Sequence, residues 1–545
     1  MFPKAPPPVL RYAASVWDEA AGWFEQISRG ATQSSSLDWS LAVLYLAVML
    51  VLSAYGLHRY QLVYLYYRHR DRATGEPAAH FTELPVVTVQ LPLYNEQFVV
   101  EELLDSACRL NYPRDRLQIQ VLDDSTDETR RVARAAVERW AAQGYPVEYR
   151  HRRHRQGFKA GALQAGLDAA RGELIAVFDA DFRPLSDFLH RTVHHFTDPN
   201  VGAVQARWTF RNRNHSVLTS VQAMLLDGHF VFEHGARARS GRFFNFNGTA
   251  GVLRRAMIEE AGGWQHDTLT EDTDLSYRAQ MKGWKYVYLP DVEAPSELPT
   301  DLTAFQVQQA RWAKGLIQTG RKNLPAMFAS DLPAKVKLEA FFHLTSNVSY
   351  PLIVLLSILW LPSAIVRFHQ GHFGFLLLDI LLFLGTFSSL STFYLLAQKE
   401  LFPSRWRWKL LLIPALAATG IGLTITNTRA VLEGMLGMKS PFQRTAKYST
   451  NHEQARLARL RYRRSSGWLP IANFVAGTYF ACCMVYLAGI GHWTTIPFTA
   501  LFVTGFYFTA WLLSFQACKF RWEAGRALAM KKAVFRDSCF VIRDS

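Results

Sequence analysis

The sequence of 545 residues predicts an α/β domain with a mostly parallel sheet, embedded in a polytopic α-helical membrane protein. Three observations carry that expectation. Apolar runs long enough to cross a bilayer flank a long stretch of mixed polarity. Within that stretch, short β-branched runs alternate with helical segments. Lys plus Arg number 60 against 45 Asp plus Glu, a formal +15, and much of the excess sits beside the apolar runs. At 49% hydrophobic and 13% aromatic, the chain is not intrinsically disordered, collagen-like or a small disulfide scaffold. Its 5 cysteines show no CxxC or Cys/His spacing, so neither a disulfide framework nor a structural zinc site is expected.

The first apolar run, Leu41 to Leu57, follows Trp39 and precedes His58, Arg59, Arg68, Arg70 and Arg72. Because about 20 apolar residues span a bilayer as a helix, residues 38–64 are expected to cross it after an N-terminal segment, 1–37. A cleavable leader is disfavoured, since the preceding region is not distinctly basic and no small-residue cleavage site follows. Further apolar segments are Val348–Val366, Phe373–Ala397, Leu410–Ile425, Trp468–Ile490 and Ile496–Phe515. If every one crossed, Asn427–Gly467 would face away from the polar domain. That loop carries Arg429, Lys439, Arg444, Lys447, Arg456, Arg459, Arg461, Arg463 and Arg464 against Glu433 and Glu453, and the tail beyond Phe515 is also basic. Positive-inside bias assigns both to the cytoplasmic side. Leu410–Ile425, the shortest segment and preceded by Trp406 and Trp408, is therefore expected to lie along the membrane.

The expected organisation is a cytoplasmic domain over 81–325, two membrane helices in 343–397, an interfacial helix and loop in 403–467, two more membrane helices in 468–515, and a basic cytoplasmic tail, 516–545. The expected location is the cell's inner (plasma) membrane. Much of the charge is then a collar on lipid headgroups, and no nucleic-acid partner is expected.

Inside the polar domain, strands are expected at Val86–Leu91, Leu117–Leu122, Val147–His151 and Leu174–Phe178, with helices around Val99–Arg109, Thr126–Gln143 and Lys159–Arg171. Such alternation implies right-handed crossovers and a ligand site beyond the carboxyl ends of the strands. Asn95–Glu96, Asp123–Asp124 and Asp179/Asp181 all fall there. Two aspartates around one residue repel each other unless a cation joins them, and hard oxygen ligands favour Mg²⁺ or Mn²⁺ with positions left open for diphosphate oxygens. An isolated pair of this kind is more often a turn or helix cap. Thr270-Glu271-Asp272 precedes a helix and alone reads as an N-cap. Gln308 and Arg311 share a helical face beside Trp312, suited to a diphosphate and a sugar ring, or equally to a membrane interface.

The order of these pieces, followed by membrane helices, resembles the processive family 2 glycosyltransferases, the cellulose, chitin and mannan synthases. The longer strings Gln118–Asp127, Gly157–Leu163, Val204–Trp208 and Phe246–Gly251 are similar to the cellulose-synthase-like A and C proteins, which make glucomannan and β-glucan backbones. The resemblance covers about Val86 to Lys447 by motif. It implies a GT-A fold and an inverting, metal-dependent hexosyltransferase. Such an enzyme uses UDP-glucose or GDP-mannose, extends a β-linked glycan of the β-1,4 glucan or mannan class, and secretes it through its own helices. By the same resemblance Asp272 is the general base with Glu271 beside it, and Asp179 and Asp181 hold Mg²⁺ or Mn²⁺, with Asp179 also near the donor sugar. The nucleotide sugar is bound at the turn of Asp123 and Asp124, with Asp124 on the base and Asp123 supporting the turn, by Asn95, Glu96, Lys159, Gln308, Arg311 and Trp312, and by a gating loop containing Phe442, Thr445 and Lys447, in which Arg444 replaces the usual hydrophobic residue. The acceptor meets Phe246, Asn247, Gly248, Thr249 and Trp312. Two other readings use the same residues: a non-processive transferase acting on a lipid acceptor, and a catalytically silent sugar-nucleotide sensor or export component. Donor identity, linkage and accessory subunits are not fixed by any motif.

Overall fold

The computed structural model describes residues 35–72, 76–369, 373–440, 467–491 and 493–541. Seven strands form one sheet: β1 (Val87–Leu93), β2 (Leu117–Asp123), β3 (Val147–His151), β4 (Leu174–Val177), β5 (Val201–Phe210), β6 (Gly251–Arg254) and β7 (Lys285–Ser296), in the order β3-β2-β1-β4-β6-β5-β7. The first four run parallel, as the alternating pattern predicts. β6 is antiparallel to both β4 and β5, and β7 returns parallel to β5.

Both faces of the sheet are covered, so β1 and β2 are buried along their whole length. On one face Val87, Val89, Leu91, Ile119 and Val121 pack against the helices Val100–Cys108 and Thr129–Ala141. On the other, Ile175, Val177 and Leu253 pack against the helices Phe158–Asp168, Arg255–Glu260 and Glu271–Met281. Polar strand residues on this second face pair with one another: the Thr88 hydroxyl donates to Gln118 Oε1 at 2.8 Å, and Gln90 Nε2 donates to Gln120 Oε1 at 3.2 Å.

Among the described residues, five helices are long and apolar enough to cross a membrane: Ser40–Arg68, Ala334–Val366, Trp406–Met435, Leu469–Gly489 and Ile496–Glu523. Phe373–Leu401 is also a single helix. The segment expected to lie along the membrane belongs to a helix longer than its apolar run. Its hydropathic run stops at Ile425, yet the helix spans Ile413–Met435 and packs against the helices Leu302–Ala329, Ser349–His369 and Ile496–Val541. Thr424 and Asn427 are buried. The polar residues that ended the run in sequence therefore turn into the bundle, and the helix continues past them.

Candidate active site

A cleft of about 170 Å³ opens beyond the carboxyl ends of β1, β2 and β4. Topology explains why it collects residues so distant in sequence. The turns after β1, β2 and β4 contribute Tyr94, Glu96, Asp124, Asp179 and Asp181. Because β6 runs against β4, with Gly251 opposite Val177, the segment leading into β6 arrives at the same edge and delivers Asn247. β7 ends there too, bringing Glu297. Thr270, Glu271, Asp272, Gln308, Arg311 and Trp312 close the opposite wall.

That wall is held by close packing of two helices. A Cβ on Gly315 would lie 2.5 Å from Thr270 Cγ2, so the helix Leu302–Ala329 touches the turn that starts Glu271–Met281. Gln318 Oε1 accepts the Leu269 amide at 3.0 Å. Asp274 Oδ1 and Oδ2 take Asn323 Nδ2 at 3.0 Å and Lys322 Nζ at 3.1 Å. Asp301 caps the long helix by accepting the Thr303 amide at 2.8 Å. Gln308, Arg311 and Trp312 are thereby set at a fixed distance from Glu271 and Asp272.

Lys159, in the first turn of its helix, joins the two walls. Its Nζ lies 2.5 Å from Asp179 Oδ1 and donates to the Gly248 carbonyl at 2.9 Å. Burial opposes its charge, but Asp179, Glu271 and Asp272 outweigh that and hold its pKa above the ordinary value. Burial instead lowers Arg311 on balance, although Glu271, Asp179, Asp272 and Asp181 all favour its charged form. Asp272 is pushed up to about 7, first by desolvation and then by the neighbouring Glu271, with Lys159 acting against them. Its Oδ1 accepts the Thr273 amide at 2.7 Å. A carboxylate with that pKa is matched to proton abstraction near neutrality.

Not every residue expected in the site lines it. Asp123 is fully buried behind the cleft, where Oδ1 accepts the Ser125 amide at 2.8 Å and Oδ2 accepts the Tyr149 hydroxyl at 2.6 Å. It shapes the turn that presents Asp124. Asn95, at φ +56°, likewise ties the β1 and β2 turns together, its Oδ1 accepting the Thr126 amide at 2.9 Å. Phe246 points into the apolar core beneath β6 and is 1% exposed, so it does not contact an acceptor in the cleft. Thr249 is buried and accepts the Asp179 amide at 2.9 Å, which makes it a support for the acidic turn. Gly248, at φ +78°, passes its backbone beside Asp272 and Lys159. Phe442, Thr445 and Lys447 lie outside the described residues.

Further residues at or behind the cleft were not anticipated. Arg152 grips Asp124 with both ends of its guanidinium, at 2.8 and 2.6 Å. Arg155 stacks over the Tyr94 ring, 3.4 Å from its centroid. Both belong to the basic run His151–Arg155 after β3, whose position opposite Asp123–Asp124 was the available signal. Trp208 lines the cleft with its Nε1 buried and without a hydrogen bond. Glu297 also lines it; desolvation and the nearby Asp181 raise its pKa, against Arg183. No pattern in the sequence distinguishes Glu297 from its acidic neighbours.

Residues 85–315 match the family described as "Glycosyltransferase like family 2". Glucomannan 4-beta-mannosyltransferase 2 of Arabidopsis thaliana is 44% identical over 272 residues, which cover 48% of this chain and 51% of that protein. Glucomannan 4-beta-mannosyltransferase 1 of Oryza sativa subsp. japonica is 43% identical over 263 residues, 47% of this chain and 50% of that protein. The chain spans about half the length of the curated relatives it matches. Among solved structures, a mannosyltransferase from Pyrobaculum calidifontis in complex with GDP-Man and Mn²⁺ aligns at 24% identity and a TM-score of 0.49, over 73% of this chain and all of that one.

Proposed function

We propose that this protein, whose residues 85–315 are a glycosyltransferase family 2 domain, is an inverting membrane hexosyltransferase. It moves a hexose from a nucleotide diphosphate sugar, GDP-mannose or UDP-glucose, to a growing β-linked glycan. The glucomannan mannosyltransferases among its relatives support a β-1,4 mannan, glucan or mixed product. One observation carries the reading: Asp179, Asp181, Glu271, Asp272, Lys159 and Arg311, drawn from four separate segments, line one cleft.

The chemistry follows from their placement. Asp272 takes the proton from the acceptor hydroxyl as it attacks the anomeric carbon from the side opposite the leaving group, so an α-linked donor gives a β-linked product. Lys159 and Arg311 face the diphosphate oxygens and stabilise the charge that grows on them. Arg152, Arg155 and Asp124 border the nucleotide end, and Trp312 offers a ring face to a sugar. The donor set suits a divalent cation: two hard carboxylates on one turn, Asp179 with its side chain 34% exposed, fit the one or two protein ligands that Mg²⁺ takes alongside phosphate. Asp179 and Asp181 would hold Mg²⁺ or Mn²⁺, which would supply positive charge to the departing diphosphate.

A second cavity, about 340 Å³, lies among the membrane helices and is lined by Tyr55, Phe342, Tyr350, Tyr394 and Phe502 together with His58 and Glu233. Mixed aromatic and polar walls suit a glycan in transit, which supports secretion through the bundle. The basic flanks support a cytoplasmic face for the domain at the plasma membrane.

The test is to give detergent-solubilised protein each labelled donor in turn with Mg²⁺ or Mn²⁺, size the product, and digest it with linkage-specific hydrolases. A long, β-linked, digestible product is expected. Transfer of a single sugar to lipid would favour the non-processive reading, and no turnover of any nucleotide sugar would defeat both.

A further inference from the structure

Three side chains connect the cleft to the cavity in the helical bundle. Asn247 lines the cleft, and its Nδ2 lies 3.0 Å from His229 Nε2. His229 Nδ1 lies 2.8 Å from Glu233 Oε2, and Glu233 lines the bundle cavity. Asn247 Oδ1 accepts from Asn245 Nδ2 at 3.0 Å and faces His234 Nε2 at 2.8 Å, so its Nδ2 is the donor to His229. With Nε2 accepting from Asn247, an Nδ1 proton on His229 points to Glu233 Oε2.

Glu233 is held at one oxygen and open at the other. Besides His229, Oε2 has the Arg237 Nη1 at 3.6 Å, while Arg237 Nε is committed to Glu339 Oε1 at 2.9 Å. The Glu233 side chain keeps 32% of its surface exposed, whereas Phe230, Phe232 and His234 of the same π-helical turn, His229–His234, are buried. Burial opposes its charge, but His229 and Arg237 outweigh it and hold the carboxyl well below the usual range. An ionised carboxylate only accepts hydrogen bonds, and the groups a glycan presents in quantity are hydroxyl donors. Tyr350 and Tyr394 in the same cavity add ring faces and hydroxyls.

We propose that Glu233, positioned by His229, is an acceptor-binding residue: it takes hydroxyl hydrogen bonds from a sugar unit that has left the cleft and so holds the glycan's end for the next transfer. This rests on the glycan-extending reading above. Asn247 then senses the cleft and Glu233 the bundle, through one imidazole between them.

The test compares wild type with Glu233→Gln and His229→Gln in detergent, measuring binding of cellotetraose and mannotetraose, binding of the nucleotide sugar, melting temperature and product length. Glu233→Gln is expected to weaken tetrasaccharide binding roughly 10–100-fold, the range of a charge-assisted hydrogen bond, and to shorten the product, with the donor Kd within about twofold of wild type. His229→Gln is expected to change the same quantities in the same direction, but less. Unchanged tetrasaccharide affinity in either folded variant overturns the proposal, as does an equal loss of donor affinity. If Glu233→Gln does not fold, His229→Gln decides alone. A wild type that binds tetrasaccharide and donor but extends no glycan defeats the proposed function separately.

Discussion

A side chain placed on Gly248 would meet Asp272: its Cβ would stand 2.7 Å from Asp272 Oδ2. The glycine is required twice, since its φ of +78° is also a conformation that L-residues rarely adopt. Gly248→Ala is expected to cost about 1–2 kcal/mol of stability and to displace the carboxylate. A shift of about 1 Å near the chemistry can cost ~10²-fold in rate. Single-turnover kinetics and melting of the variant check both, with the donor Kd expected to hold.

Asp272→Asn would remove the proposed base while keeping its shape. The expected loss is ~10²–10⁴-fold in kcat. In the wild type, only the ionised carboxylate can take a proton. With its pKa raised to about 7, kcat/KM is expected to fall tenfold per unit below that pH, well above the usual carboxylate range. A pH–rate profile from about 5 to 9 reads this limb; in the Asn variant it should vanish from the residual activity.

Chelation is expected to abolish transfer, and Mg²⁺ or Mn²⁺ to restore it. Asp181→Asn should raise the half-saturating Mn²⁺ concentration by about tenfold or more, since even losses in a metal's outer shell cost 10–100-fold. Mn²⁺ titration followed by electron paramagnetic resonance measures this without relying on turnover.

Arg237 and Glu339 form a buried pair between the domain and a bundle helix, at 2.9 Å and with side chains 2% and 1% exposed. Removing one partner strands the other, which costs about 3–5 kcal/mol. Glu339→Leu should therefore lower the melting temperature sharply, and adding Arg237→Met should recover part of the loss. Thermal unfolding of single and double variants in one detergent gives the coupling.

The first four strands were legible because each is a short run of apolar and β-branched residues, closed by Pro92–Asn95, Asp123–Asp124 and Asp179 in β1, β2 and β4 and by the basic Arg152–Arg155 after β3, a local signal. The second half of the sheet was not. β6 is four residues long, and its partners β4 and β5 are assigned by tertiary pairing rather than by its own pattern. That same hidden pairing turns Phe246 toward the core and Asn247 toward the cleft, which a motif read as a string cannot separate. Composition alone does not separate Asp123 from Asp124; only the family resemblance assigns one to the turn's support and the other to the nucleotide base. In the structure the Tyr149 hydroxyl and the Arg152 guanidinium, arriving from β3 and the loop after it, divide them into a hidden support and a cleft wall. The helix Ile413–Met435 was cut short for a related reason, because hydropathy records that Asn427 is polar and not which way it faces.

Val177, Thr249 and Ala250 have a consequence for anyone wishing to retune this protein. The Ala250 amide donates to the Val177 carbonyl at 2.8 Å, and the Thr249 hydroxyl accepts the Asp179 amide at 2.9 Å. On the proposed function, the corner that would meet the nucleotide sugar is thus bolted to the one that would meet the chain being lengthened. Grafting either corner from a relative with different preferences would drag its neighbour out of true, so both must be transplanted as a single block.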